Sequence, residues 1–246
     1  MRTALEPVSP ADDALGVVLI VPTRNEEAAI AAVLAAVPRA VVQRILVMDG
    51  ASTDGTGRVA RDAGAEVIDA GQGYGRACWM GALAAEREAI LVFMDGDGSD
   101  RPEFIAALIE PIRSGAQDFV IGSRVRGRRE PGSMGWHQLF IGLAVGALIK
   151  LRYGVGYTDM CAFRAIRREV LLSLGMQEMT YGWNLEMQML AAHRGLRILE
   201  IPVSYGRRVA GESKVSGHWM GALRASGRLL LTFIRLASRR RVLEYR

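Results

Sequence analysis

Short apolar runs alternate with helix-patterned segments through the first half of this 246-residue chain. The first run, "GVVLIVP" (16–22), is continuous and β-branched, as in a strand covered on both faces. "RILVMD" (44–49), "AEVID" (65–69), "AILVFMD" (89–95) and "DFVIGSR" (118–124) repeat the pattern. Helical segments separate them. In "NEEAAIAAVLAAVP", Asn25 is placed to cap a helix, Glu26 and Glu27 suit its positive end, and Pro38 closes it. "GASTDGTG" reads as a turn leading into a short helix to about Ala63, and a Gly-rich loop and a helix to about Arg87 follow "AEVID". In "RPEFIAALIEPI", Pro102 falls in the first helical turn. This alternation predicts an α/β fold, a mainly parallel, Rossmann-like sheet flanked by helices in three layers.

Beyond Arg124 the rhythm changes. A polar, basic loop, "VRGRREPGSMG", precedes a helix-like 134–151. Then come "TDMCAFRAI" (158–166), a helical "GWNLEMQMLAAHRG" (182–195) and a strand "LRILEIPVSY" (196–205). Residues 1–14, with Pro7, Pro10, Asp12 and Asp13, are expected to form a loose tail, 15–216 a single domain, and 217–246 a basic amphipathic helix. With 50% hydrophobic and 23% charged residues, the chain has the composition of a globular protein with a full core. Cys78 and Cys161 lie far apart without metal-ligand spacing, and are expected as buried, reduced thiols of a cytoplasmic protein.

No stretch reaches about 18 uninterrupted apolar residues, so no transmembrane helix is expected. The longest candidate, "LFIGLAVGALIKL" (139–151), fits a buried or membrane-surface helix. The net charge of +5 is uneven: residues 207–246 hold ten Lys/Arg and two Glu, a net of +8, so 1–206 carry −3. A basic end on a mildly acidic body suggests an anionic partner. At 100° per residue, Arg224, Arg228, Arg235 and Arg239 fall within about 60° of one another. Trp219, Leu223, Leu230, Phe233, Ile234 and Ala237 fall opposite. Such a helix either lies in an anionic membrane surface or packs its apolar face on the domain; the first is the expectation here. Nucleic acid is not an expected partner, because no aromatic platform accompanies the arginines. His137, His193 and His218 do not form a ligand set.

Ligands of open parallel sheets sit beyond the C-terminal strand ends. Three polar clusters fall there: "PTRNE", "DGASTDGT" and "DGDGSD". Asp95 and Asp97 alternate around Gly96, so in extended backbone both carboxylates face one ion. That sparse oxygen site suits Mg²⁺ or Mn²⁺ shared with substrate phosphates. A calcium loop fails, since its sixth position would be Asp100 and its twelfth Ala106. "AGQGYGRACWMG" (70–81) fits a dinucleotide fingerprint poorly, because it follows the third strand and its glycines are misplaced. Two roles remain open to that loop: a flexible helix start, or close backbone approach to a ligand.

"VPTRNEE", "DGASTDGT", "MDGDGSD", "IGSR", "DMCAFRAI" and "RRVAGESK" occur in the order seen in glycosyltransferase family 2. Over roughly residues 16–220 the chain resembles that family, and within it the polyprenyl-phosphate (dolichyl-phosphate) mannose/glucose synthases. The resemblance implies the A-type glycosyltransferase (GT-A) fold, with a nucleotide-binding half to about residue 124 and an acceptor half after it. It implies inverting transfer of a hexose from a nucleotide-diphosphate sugar, of UDP-glucose or GDP-mannose type, to a polyprenyl phosphate. It also implies a divalent metal and a peripheral position on the cytoplasmic membrane face. By position, Pro22, Thr23, Arg24 and Glu26 would line the nucleoside and Asp49 would meet the base. Asp95 and Asp97 would bind the metal. Arg208, Gly211, Ser213 and Lys214 match the family's R-x-x-G-x-S-K loop over the diphosphate, and Arg124 and Arg164 would face the acceptor phosphate. Two positions depart from the pattern: Gly50 replaces the second acid after Asp49, and Tyr74 stands nearest the loop's usual Lys.

Breaking a sugar–phosphate bond builds negative charge on the leaving diphosphate while the sugar becomes oxocarbenium-like. A metal at Asp95/Asp97, with Arg208 and Lys214, would neutralise that charge. A phosphate acceptor is already ionised, whereas a hydroxyl acceptor needs a base, for which Asp159 is the candidate. The other role open to Asp159 is to orient Arg164 or cap the next segment. Glu186 is a partner of the loop arginines or part of a solvated face. Asp54 is expected as a turn or cap residue rather than a base contact. Competing readings are a family member with a soluble phosphorylated or hydroxyl acceptor, and a non-catalytic sugar-nucleotide or membrane-binding module.

Overall fold

The computed structural model describes residues 16–87, 89–209 and 232–237. The tail, most of 217–246 (expected as a helix) and the loop residues Gly211, Ser213 and Lys214 therefore lie outside the described residues. Seven strands form one sheet: β1 (Val17–Thr23), β2 (Arg44–Asp49), β3 (Glu66–Asp69), β4 (Ile90–Phe93), β5 (Phe119–Ser123), β6 (Arg164–Arg167) and β7 (Ile198–Pro202), in the order β3-β2-β1-β4-β6-β5-β7. Every pairing is parallel except those of β6, which runs antiparallel to both β4 and β5. The sequence expectation of a mainly parallel sheet flanked by helices holds. "TDMCAFRAI" additionally supplies β6, too short and too charged to signal itself.

The helices are α1 (Glu27–Ala35), α2 (Thr56–Asp62), α3 (Tyr74–Ala84), α4 (Ile105–Arg113), α5 (Trp136–Tyr153), α6 (Arg168–Leu174) and α7 (Trp183–His193). A 3-10 turn at Pro102–Phe104 starts α4, as the proline at its head suggested. The core follows from the apolar runs: Val17 to Val21, Leu46 to Met48 and Ile90 to Phe93 are buried on both faces between helices. Cys78 and Cys161 are free and buried, as expected.

The chain leaves β1 first toward β2 and β3, then returns to place β4 on the other side of β1. At that reversal the connections leave β1 and β4 in opposite directions, which opens a crevice past their C-terminal ends. Thr23 pairs in register with Asp49, and β4 runs straight into Asp95, so all three polar clusters reach the crevice.

Asn25 does not cap α1. It adopts a left-handed backbone (φ 54°), and its Oδ1 accepts the Thr53 N–H at 2.8 Å. The cap comes from the neighbouring loop, where Asp54 Oδ2 accepts the Glu27 N–H at 3.3 Å and Asp54 Oδ1 accepts the Thr56 N–H at 3.0 Å. Asp54 is the cap residue its position suggested. These bonds hold its carboxyl below the usual range, against the opposing effect of burial.

Candidate active site

Three acids in six positions follow β4, and the structure gives each a different task. Asp97 is buried. Its Oδ1 accepts the Ser99 N–H at 2.9 Å and the Ser99 hydroxyl at 2.5 Å, which fixes its rotamer. Its Oδ2 lies 2.8 Å from Arg208 Nη2 but has no aligned hydrogen-bond donor among the described residues. Asp95 is half-buried. Loss of water, then the Asp97 charge, raise its pKa to about 6 against the pull of Arg208 and Arg124. Asp100 is buried, and its Oδ2 accepts the Asp95 N–H at 3.1 Å. Burial, then its two acidic neighbours, push its carboxyl well above the usual range.

Asp95 and Asp97 fit a hard divalent cation: oxygen donors only, one buried oxygen lacking an aligned donor, and mutual repulsion that a cation would relieve. Among the described residues no third His, Cys, Asp or Glu joins them, which leaves coordination positions for phosphate oxygens.

The segment after β7 lies along this loop. Gly206 N–H donates to the Ser99 carbonyl at 2.8 Å and Val209 N–H to the Asp97 carbonyl at 3.0 Å. Those two bonds bring Arg208 over Asp97, with its other nitrogen 3.8 Å from Glu26 Oε1. Glu26 thus shares the crevice with Asp97 and Arg208, and Thr23 packs beside Gly96 between the two acids. The Thr23 hydroxyl is buried and has no hydrogen-bond partner among the described residues, while Arg24 is exposed. Asp49 accepts the Ser52 N–H at 2.9 Å, closing the turn after β2.

Arg124, just after β5, pairs with Asp159. Asp159 is buried, and its carboxylate accepts four bonds: Arg124 N at 2.9 Å, Arg124 Nε at 2.8 Å, Arg124 Nη2 at 2.7 Å and Met160 N at 2.7 Å. Arg124 also lies over the Tyr205 ring, 4.9 Å from its centroid. Asp159 orients Arg124, not Arg164.

Arg164 does not reach the acceptor side. It is wholly buried on β6, donates to the Cys161 and Asn184 carbonyls, and faces the Phe119 ring at 5.8 Å. Burial lowers its pKa. It braces the interior behind Asp95.

Glu186 is neither on a solvated face nor paired with the loop arginines. It is fully buried on α7; Oε2 accepts the Gln177 and Glu178 N–H groups at 2.8 and 2.6 Å, and Oε1 pairs with Arg235 at 2.8 Å. Thr232 Oγ1 donates to Glu178 at 3.1 Å. In the helical segment 232–237, Leu236 is buried and Ile234 is exposed. Phe233 and Ala237, from the side expected to be apolar, pack on the core, while the partly exposed Arg235 reaches Glu186; the rest of 217–246 lies outside the described residues. At Gly73 and Gly75 the Gly-rich loop lies against the backbone of the 178–179 turn: a Cβ on Gly73 would fall 2.7 Å from the Met179 carbonyl oxygen. Tyr74 points inward, its hydroxyl pushed up by burial and by Asp95.

Ser99, Tyr205 and Glu200 were not singled out in the sequence. Ser99 lies inside the quoted "DGDGSD", but Glu200 receives Thr158 N–H from 42 residues away, which spacing alone does not reveal.

The family model of glycosyl transferase family 2 matches residues 18–175. The chain belongs to glycosyltransferase family 2. Among other members, it is 34% identical over 223 residues to an undecaprenyl-phosphate mannosyltransferase of Micrococcus luteus, covering 83% of this chain and 89% of that one. It is 31% identical over 214 residues to a polyprenol monophosphomannose synthase of Mycolicibacterium smegmatis, covering 81% and 80%. An uncharacterised glycosyltransferase of Mycobacterium tuberculosis is 38% identical over 216 residues, covering 87% and 94%. The structure superposes on glucosyl-3-phosphoglycerate synthase from M. tuberculosis, solved with Mn²⁺, UDP-glucose and phosphoglyceric acid, with a TM-score of 0.72 at 24% identity over 91% of this chain and 80% of that one. That likeness establishes the GT-A fold for this family 2 member. No described helix is long and apolar enough to cross a membrane.

Proposed function

We propose that this family 2 glycosyltransferase moves a hexose, with inversion, from a nucleotide-diphosphate sugar of UDP-glucose or GDP-mannose type to a polyprenyl phosphate at the cytoplasmic membrane face. The observation that carries the reading is the Arg124–Asp159 pair. A carboxylate that accepts four hydrogen bonds, three of them from one arginine, is poorly placed to take a proton. The acceptor it serves is therefore one that arrives ionised, and Arg124 offers that anion a fixed guanidinium. The names of the two lipid-phosphate relatives agree with this reading.

Asp95 and Asp97 would hold Mg²⁺ or Mn²⁺, which would supply positive charge against the leaving diphosphate. Arg208 stands at the same edge and offers its guanidinium to that diphosphate, with Ser213 and Lys214 completing the loop motif. Pro22, Thr23, Arg24, Glu26 and Asp49 line the nucleoside end. Ser99 and Asp100 hold the two metal-binding acids in place. A soluble acceptor is the second reading, favoured by the fold match to a synthase solved with phosphoglyceric acid.

The test offers UDP-glucose and GDP-mannose, with Mn²⁺, to a polyprenyl phosphate and to the corresponding polyprenol. Transfer to the phosphate alone is expected. Equal transfer to the alcohol would require a base and would overturn the role given to Asp159.

A further inference from the structure

α5 is apolar on both sides. Gly142, Gly146, Ile149 and Tyr153 face the domain and are buried. On the outer side Trp136, Phe140, Leu143, Leu148 and Leu151 remain 80%, 68%, 47%, 47% and 85% exposed. At 100° per residue, four of these five (all but Leu148) fall within about 80° of one another, a stripe of about 22 Å along the axis. A contiguous apolar stripe of this kind marks a contact surface. The end of α5 also carries the helical segment 232–237, since Tyr153 and Arg152 donate to the Leu236 and Ala237 carbonyls at 3.3 Å. That segment adds Ile234, 54% exposed.

Cations rim the stripe. Arg128 and Arg129 are exposed on the loop that leads into Trp136, and Lys150 is exposed in the last turn. Residues 207–246, which contain the helical segment, carry a net +8. Two copies of this chain meeting through the stripe would bring like charges together, which disfavours a self-contact. An anionic bilayer offers the complement: acyl chains for the Trp/Phe/Leu stripe and headgroups for its rim. The loop between α5 and the crevice begins at Arg124, the residue given to the acceptor phosphate above.

We infer that the outer face of α5 is the surface by which this protein docks on anionic membrane. The inference deepens the proposed function and rests on it for its purpose, but it is measured without it.

The experiment is sedimentation of the full chain with vesicles of phosphatidylcholine alone and with added phosphatidylglycerol, for wild type and for the triple variant Trp136→Ser, Phe140→Ser, Leu151→Ser. All three positions are exposed, and circular dichroism confirms that the variant is folded. Wild type is expected to bind the anionic vesicles, and the variant to lose about tenfold or more in partitioning. Equal binding by the two proteins, or no binding by wild type, would overturn the inference. So would analytical ultracentrifugation showing a wild-type dimer that the variant loses, because the stripe would then be a self-contact. If wild type docks through α5 yet transfers hexose to no lipid phosphate, the proposed function fails and the docking surface stands.

Discussion

Arg208 lies directly over Asp97, with 2.8 Å between Nη2 and Oδ2, and reaches toward Glu26 from the same guanidinium. A cation and an acid 111 positions apart in the chain meet because the backbone after β7 bonds to the carbonyls of Ser99 and Asp97. Both are needed where charge develops on the leaving diphosphate. Asp97→Asn and Arg208→Ala are each expected to reduce transfer by about two orders of magnitude or more, the scale for losing a main electrostatic stabiliser. Steady-state kinetics on the folded variants checks this, and near-normal turnover in either would remove that residue from the chemistry.

Asp159 is expected to act through Arg124. Asp159→Asn keeps the shape and loses the charge, so the acceptor KM should rise while the pH profile keeps its shape. Loss of one limb of the profile would identify Asp159 as a base instead.

Burial, then the Asp97 charge, raise the Asp95 pKa to about 6. Its carboxylate gains a proton as pH falls through that value, and the proton competes with a cation. Calorimetry of the nucleoside diphosphate with Mn²⁺ should show affinity falling between pH 7.5 and 5.5. Binding without metal should change less over the same range.

Gly75 sits where α3 meets the backbone of the 178–179 turn. A Cβ there would clash with the Glu178 carbonyl oxygen and lie 2.8 Å from the Met179 carbonyl carbon. Neither neighbour is a flexible side-chain end. Gly75→Ala should therefore destabilise by about 1–3 kcal/mol through overpacking, despite alanine's better helix propensity. The midpoint of urea unfolding measures it.

The strands from β1 to β5 were legible because their apolar runs are continuous, and the crevice was legible because polar clusters follow three of those runs. β6 was not: "RAIR" has a charge at each end and finds its place only between β4 and β5. Arg164 looked like an acceptor contact because its sequence neighbours are motif residues. What buries it are carbonyls of Cys161 and Asn184, a matter of tertiary placement. Asp100 is similar, since only the turn geometry sends its carboxylate back to the Asp95 N–H. The helical wheel put Arg235 on one side of the last helix and Ile234 on the other. Phe233 and Ala237 pack on the core, and Arg235 also reaches Glu186, 49 residues away, a pairing the wheel alone does not reveal.

The central claim is that the acceptor is a lipid phosphate. The most direct measurement mixes labelled nucleotide sugar and Mn²⁺ with equal amounts of polyprenyl phosphate and 3-phosphoglycerate, then partitions the product between organic and aqueous phases. The account predicts label in the organic phase as an acid-labile hexosyl phospholipid. Label confined to the aqueous phase on the phosphoglycerate would contradict it.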